Sequence, residues 1–372
     1  MRILLIGENS GVHNTLAEGL RDLGHEVVVA SNGDFWKKFH SDIDLSRGNK
    51  LLFLLKLMKA LPRMRGFDVV QLISPIFVDI KAQWHFPIYS YLRKHNSKIV
   101  LSAVGLNYYY SYVNRNMKPM RFSDFNIGTE ERRSEYREAL YNDWVGSDKD
   151  RLNHMIARDC DAIVAGSYEY WLPYSLIEER DKNGLRLSDK LYMVPFPFKL
   201  HDVVHPAASE KIRFFIGISK GEWAKVKGTD ILLRAAQKLE KKYPDRMEVK
   251  VVSGVPYAEY CNMMNNSDVM LDQLNAYGPG MNALLTLSKG IVTLTGGEPE
   301  HYDIMGENEC RPIIAVQPNY ESVYSELERL ILHPELLPKL KEESRRYVER
   351  NYEYHMIAKK YEEIYKKICN QS

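Results

Sequence analysis

With 372 residues the chain exceeds the usual size of one domain, so two domains of similar size are expected. Its 51 Lys and Arg residues against 49 Asp and Glu leave a net charge of +2, which excludes the broad basic footprint of a nucleic-acid binder and confines any basic surface to local patches. Cys160, Cys261, Cys310 and Cys369 are scattered without CxxC or Cys/His spacing, and neither Asp-x-Asp nor HExxH occurs, so no disulfide framework and no metal site is expected and the cytoplasm is the compartment indicated.

The N-terminal run MRILLIGENSG is too short for a signal segment and passes into a glycine loop, so residues 3–6 read as a first strand. A helix follows over 12–23, closed by Gly24, then a strand over 27–30. His13 falls just inside that helix and reads as part of its N-terminal turn; His85 is the other histidine near these loops. Residues 49–67, NKLLFLLKLMKALPRMRGF, combine Leu51, Leu52, Phe53, Leu54, Leu55 and Leu57 with Lys50, Lys56, Lys59, Arg63 and Arg65. They read first as the crossover helix of a βαβ unit, with a basic amphipathic helix on an anionic membrane as the rival. No stretch approaches the ~18–20 apolar residues of a membrane span.

Strands are expected at 68–73, 98–102, 162–165 and 191–194. Short apolar strands separated by helices imply right-handed crossovers and a parallel sheet covered on both faces. Within this half, 107–144 is the least regular stretch and holds Tyr108, Tyr109, Tyr110, Tyr112, Arg115, Lys118, Arg121 and Trp144. Aromatic faces and fixed polar donors gathered in one irregular stretch make it a candidate ligand contact, against the plainer reading of a surface insertion with its own small core.

After a His, Pro and Ala-rich linker at 199–209 the alternation restarts: strand 212–218, helix 230–242, strand 248–252, helix 258–265, strand 269–272. The segment 277–302, YGPGMNALLTLSKGIVTLTGGEPEHY, is the most informative of the chain. Gly278, Pro279 and Gly280 form a tight loop, 281–289 a helix ended by Gly290, and 291–294 a strand. A helix opening at a glycine loop offers free N–H groups and a positive dipole end to an anion. A last strand is expected at 312–316. Beyond residue 320 the chain is helical and charged, and Ile357, Tyr361, Ile364 and Ile368 give the final helix an apolar stripe that must pack.

In their order and spacing these segments resemble the retaining GT-B-fold glycosyltransferases of the family-four type. The opening MRILLIGENSGVHNTLAEGLRDLGHEVVVA, the segments DAIVAGS and VPFPF, the run FFIGISKGEWAKVKGTDILLRAA, and SDVMLDQ followed by YGPGMNALLTLSKGIVTL carry the likeness. The resemblance implies an α/β protein of two Rossmann-like domains facing a cleft, 1–200 on the acceptor side and 209–353 on the donor side, with the last helix, 354–372, returning to the first. It implies transfer of a sugar from a nucleoside-diphosphate-sugar to a glycan or lipid-linked acceptor, as in polysaccharide biosynthesis, with no cofactor. Peripheral contact at the inner membrane face stays open.

By the same resemblance Lys227, ahead of Gly228, would grip the donor diphosphate and stabilise the departing charge, with Lys220 or Lys225 in place of the family's upstream arginine. Donor contacts would come from Gly217, Ser219, Asp272, Gln273, Tyr277, Gly278, Gly280, Met281 and Asn282. The first glycine loop, Gly7, Asn9, Ser10 and Gly11, would line the acceptor side together with Tyr108 and Tyr109. Retaining members are thought to use the donor's own phosphate oxygen as base, so a protein base is not required. The chain departs from the family at its paired glutamates, whose positions hold Tyr277 and Leu285. A nucleotide-sugar epimerase of the same fold and a catalytically silent sugar-binding protein are the alternatives.

Overall fold

The structure, a computed structural model, describes residues 1–34, 38–218 and 221–370, with only the backbone described for Lys50 and Leu51. The chain forms two units. One comprises Met1–Pro119, Arg133–Pro197 and Tyr354–Ser372; the other comprises Met120–Arg132 and Phe198–Glu353.

The first unit is built on a parallel sheet of seven strands: β1 (Arg2–Ile6), β2 (Glu26–Ser31), β3 (Ile43–Asp44), β4 (Val69–Leu72), β5 (Lys98–Ala103), β6 (Ala162–Ala165) and β7 (Leu191–Met193), in the order 3-2-1-4-5-6-7. Register pairs Ile3 with Val27 and Val69, and Ile6 with Ala30 and Leu72. Every residue from Ile3 to Ile6 is buried, because successive side chains point to opposite faces and both faces are covered. Leu4 and Ile6 pack with Val70, Leu72, Leu101 and the residues of helices Lys50–Ala60, His85–His95 and Asp148–Asp159. Ile3 and Leu5 pack with Val29, Val69, Val100 and Val164 beneath helices Val12–Asp22 and Tyr354–Asn370.

The C-terminal helix is thus part of the first unit's core. Ile357, Tyr361, Ile364 and Ile368 are buried as their spacing requires, and so are Ala358 and Tyr365. The Tyr365 hydroxyl donates to Gln71 Oε1 at 2.5 Å, and Gln71 Nε2 donates to Ser102 Oγ at 3.0 Å, which satisfies polar groups the sheet would otherwise strand. Gly19 permits the close approach of the two helices, for a Cβ there would lie 2.7 Å from the Ala358 Cβ and 3.0 Å from the Tyr354 carbonyl oxygen.

The second unit carries a four-stranded parallel sheet, β8 (Ile212–Gly217), β9 (Met247–Val252), β10 (Val269–Leu271) and β11 (Val292–Leu294), in the order 9-8-10-11. Helices Thr229–Lys242 and Tyr320–Leu332 contribute Leu232, Leu239, Val323 and Leu327 to its core. The strand expected at 312–316 reduces to a single bridge from Ile314 to Leu294, since Pro312 has no N–H to give and the pairing stops after one residue.

Gly19→Val should destabilise the protein by about 1–3 kcal/mol, since the added carbons meet backbone as well as a methyl group. Urea melts of both proteins measure it. An unchanged midpoint would mean that the two helices are not in close contact.

Candidate functional site

In the second unit the residues expected to bind a donor gather beyond the carboxyl ends of β8, β10 and β11, where open parallel sheets hold ligands. β8 ends at Gly217, where a Cβ would lie 2.7 Å from the Tyr260 hydroxyl. Ser219 and Lys220, which the resemblance placed in the site, lie outside the described residues. The chain then forms the short helix Trp223–Lys227, is ended by Gly228 at φ 73° and starts Thr229–Lys242. The Leu274 N–H donates to the Lys227 carbonyl at 2.9 Å, and the Asn275 amide donates to the Val226 carbonyl, so the Lys227–Gly228 turn and the loop after β10 are one piece. The Lys227 side chain is half-buried, and among the described residues its ammonium has no carboxylate partner.

β10 delivers Asp272, a buried carboxylate that organises its surroundings. One oxygen accepts from Asn282 Nδ2 at 2.9 Å and the other from the Thr295 hydroxyl at 3.0 Å. Tyr260 in turn donates to Asn282 Oδ1 at 3.3 Å. The helix Met281–Ser288 opens at Gly280 with no side-chain cap, leaving first-turn N–H groups for another acceptor. Lys227, Gly228, Asp272 and Asn282 are thereby held on one sheet edge, with Gly278, Gly280 and Met281 in the loop between; Gln273 is half-buried, and its amide lies 3.6 Å from where a Gly280 Cβ would be.

Both positions of the missing glutamates face protein. Leu285 is buried in its helix, and the Tyr277 phenol accepts the Arg121 N–H at 2.8 Å. Burial pushes the Tyr277 hydroxyl up to about 12. Gly296 fixes this loop, because a Cβ there would lie 2.6 Å from the carbonyl oxygens of Ala276 and Gly278. Directly beyond it the Glu298 N–H donates to the Tyr277 carbonyl at 3.0 Å.

The partner of Glu298 is a residue that sequence reasoning assigned elsewhere. Arg121, expected on the acceptor side, belongs to the segment Met120–Arg132 that folds with the second unit. Its guanidinium reaches Glu298 at 2.7 Å and Glu300 at 2.7 Å, and Phe122 lies against the Tyr277 ring with centroids 4.9 Å apart. Burial raises the Glu298 carboxyl above its usual range while Arg121 opposes that rise. Nothing local in the sequence links residue 121 to residue 298. Only the hairpin pattern of residues 126–131 hints at a separate element.

In the first unit the GENSG loop, expected on the acceptor side, spends its N–H groups within the protein, most of them on Glu8. Its carboxylate accepts from the backbone of Asn9 (2.7 Å), Gly11 (3.0 Å), His13 (3.3 Å) and Asn14 (2.9 Å), and from the Asn14 amide at 2.6 Å. The helix N-terminus thus has its own anion. Gly7 and Gly11 sit at φ 85° and 90° against Ile73 and Phe39, which explains the glycines without a ligand; Ser10 donates its N–H to Asp34, and Asn9 is exposed.

Tyr109 is wholly buried, its hydroxyl donating to Glu179 at 2.8 Å, so it cannot touch an acceptor. Tyr110 and Trp144 are buried too. Tyr108 is half-buried and stacks on Tyr112, centroids 5.4 Å apart and planes 15° apart. His13 lies in the first turn of its helix, as expected, and His85 opens the helix His85–His95. Both are buried, and burial lowers each to about 4, so both are neutral at pH 7.

No protein-family model matches the chain. Nor does any curated protein match it in sequence. Solved structures do resemble it. Sucrose-phosphate synthase from Thermosynechococcus elongatus matches over 100% of both chains with a TM-score of 0.61 at 14% identity. Anabaena Alr3699/HepE, solved with UDP and glucose, matches over 98% of this chain and 99% of its own with a TM-score of 0.59 at 10% identity. The Neisseria meningitidis UDP-GlcNAc 2-epimerase bound to UDP-GlcNAc matches over 99% and 100% with a TM-score of 0.52 at 12% identity. At these identities the likeness establishes the fold, which is GT-B. The expected fold class is borne out.

Two outcomes follow from this geometry. Arg121→Ala should cost about 1–2 kcal/mol, below the loss for a fully buried pair because Arg121 is 47% exposed. Adding Glu298→Gln should restore most of that loss, since no buried charge is then left alone; additive losses in a double-mutant cycle would show the pair to be idle. The second concerns acid. His301 is buried, its Nε2 2.9 Å from the Tyr352 hydroxyl, and burial lowers it to about 3. Below about pH 6.5 the unfolded chain takes up protons that the folded chain refuses until pH 3–4, so stability is full above pH 6.5 and falls as pH drops from there towards 3–4. Urea unfolding at pH 7 and pH 5 should show up to about 1.4 kcal/mol per pH unit less dependence in His301→Gln. Parallel pH curves would refute a buried neutral imidazole.

Proposed function

We propose that the protein is a glycosyltransferase that moves a sugar from a nucleoside-diphosphate-sugar to a glycan or lipid-linked acceptor, with retention and without a metal. The observation that carries the proposal is Lys227, whose half-buried side chain has no carboxylate partner among the described residues and whose backbone carbonyl is held by the Leu274 N–H of the loop after β10, at the carboxyl end of the sheet. A cation held there without a protein anion suits a diphosphate, whose charge grows as the sugar departs. The uncapped start of the Met281–Ser288 helix supplies N–H donors to the same charge.

Lysine acts as a point charge with no bidentate fork, so backbone donors would have to fix the orientation of the diphosphate. Asn282 and Tyr260, tied to Asp272, are the polar side chains placed for sugar or ribose hydroxyls in place of the absent glutamates. As the glycosidic bond to phosphate breaks, the bond to the acceptor oxygen forms on the same face, and the acceptor proton passes to the departing phosphate oxygen. The first unit is the proposed acceptor side, and a place in polysaccharide biosynthesis at the cytoplasmic face follows from a glycan acceptor. Because a UDP-GlcNAc 2-epimerase shares the fold, epimerisation is the second reading.

A thermal-shift screen with UDP, GDP, ADP and their sugars should find one nucleotide that stabilises the protein, by about 2.7 kcal/mol at 100 times its dissociation constant. Lys227→Ala should abolish that shift, lower turnover roughly 10²–10³-fold and leave the ligand-free melting temperature little changed. Wild-type behaviour of the variant would overturn the role of Lys227. Sugar turnover without acceptor would favour the epimerase, and binding without turnover a silent sugar-binding protein.

A further inference from the structure

The helix Lys50–Ala60 buries very little of its apolar surface. Phe53, Leu57 and Ala60 face the first unit's core, a stripe of about 60° at 3.6 residues per turn. Leu54, Met58, Leu55 and Leu52 spread over about 160° of the opposite side. They are 51%, 59%, 48% and 65% exposed. A crossover helix needs one apolar stripe, and this one has a second that the described residues leave about half exposed or more.

The segment that carries that face bears charge of one sign. Residues 46–66 contain Arg47, Lys50, Lys56, Lys59, Arg63 and Arg65 and no acidic residue. Lys56 pairs with Asp44 at 2.5 Å and Arg47 lies 4.0 Å from Asp79, whereas Lys59 and Arg65 are exposed and have no carboxylate partner among the described residues. An isologous pair of copies on this face would set the basic residues of one against those of the other, which opposes self-association. An anionic bilayer meets both features, since acyl chains accept the leucines and methionine while headgroups neutralise the cations.

We propose that the Lys50–Ala60 face is a membrane-docking surface that seats the protein on anionic lipid, with the helix lying in the interfacial plane. This stands independently of the donor-site reading. It also suits a lipid-linked acceptor in preference to a soluble glycan.

The test uses the full-length protein and sedimentation with phosphatidylcholine vesicles with and without phosphatidylglycerol. We expect binding to the anionic vesicles that weakens with salt, about fivefold weaker binding for Lys59→Ala, and at least tenfold weaker for the triple variant Leu54→Ser, Leu55→Ser, Met58→Ser. The replaced side chains are exposed, so the melting temperature and the nucleotide-induced thermal shift should stay as in the wild type. No binding to anionic vesicles, equal binding to neutral ones, or binding indifferent to these substitutions would overturn the proposal. So would a dimer in sedimentation velocity that the triple variant dissolves, because the face would then be an interface between copies.

Discussion

Each interior strand of the first unit is apolar on both sides, and this governs the rest of the unit. Ile3 and Leu5 point one way and Leu4 and Ile6 the other, so neither face of the sheet can be left to water. One face is closed by helices drawn from the middle of the sequence. The other has Val12–Asp22 and is completed by Tyr354–Asn370, which arrives from the far end of the chain after the whole second unit has been traversed. The consequence is topological: the first unit cannot finish its core until the last helix has been made. The contact between Gly19 and Ala358 and the hydrogen bond from Tyr365 to Gln71 are the local terms of that closure.

The second unit solves a different problem, which is to hold loops steady while leaving polar groups for something else. Its devices are mostly backbone. The Lys227 carbonyl receives Leu274, the Tyr277 carbonyl receives Glu298, and Gly296 sits where any side chain would strike two carbonyl oxygens. Among side chains, Asn275 ties its loop to the Val226 carbonyl, and Asp272 uses both oxygens on protein donors, Asn282 and Thr295. A carboxylate so occupied is a scaffold, which leaves Asn282 and Tyr260 as the groups able to turn towards a ligand.

The strands are legible because burial on both faces demands continuous apolar runs, and the C-terminal stripe because burial of one helix face imposes a period. Contacts that depend on distant residues left no such mark. Glu8 looks like any loop glutamate until four N–H groups converge on it, and the glycines beside it advertise a ligand loop whose anion is already present. Tyr108 and Tyr109 are adjacent in one aromatic run, yet Tyr109 lies in the core and Tyr108 is only half-buried, because one residue's step around the helix separates neighbours that composition treats alike. The segment 120–132 was assigned to the half in which it lies in sequence. Its packing on Tyr277 and Glu298 rests on Phe122 and Arg121, two residues with no periodic signature.

The helix Lys50–Ala60 shows why composition could not choose between its two readings. An apolar stripe for a core and an apolar face for a bilayer use the same residues, and with five apolar residues in a row, Leu51 to Leu55, both patterns are satisfied at once. What separates them is which side of the helix the sheet covers, a fact fixed by Phe77, Val78 and Ile88, which share a core with Phe53 and Leu57. With that side settled, the exposed leucines are surplus to folding. Leaving them in water gains the folded protein nothing, so a surface that keeps them beside unpaired lysine and arginine is better explained by a second medium than by the fold itself.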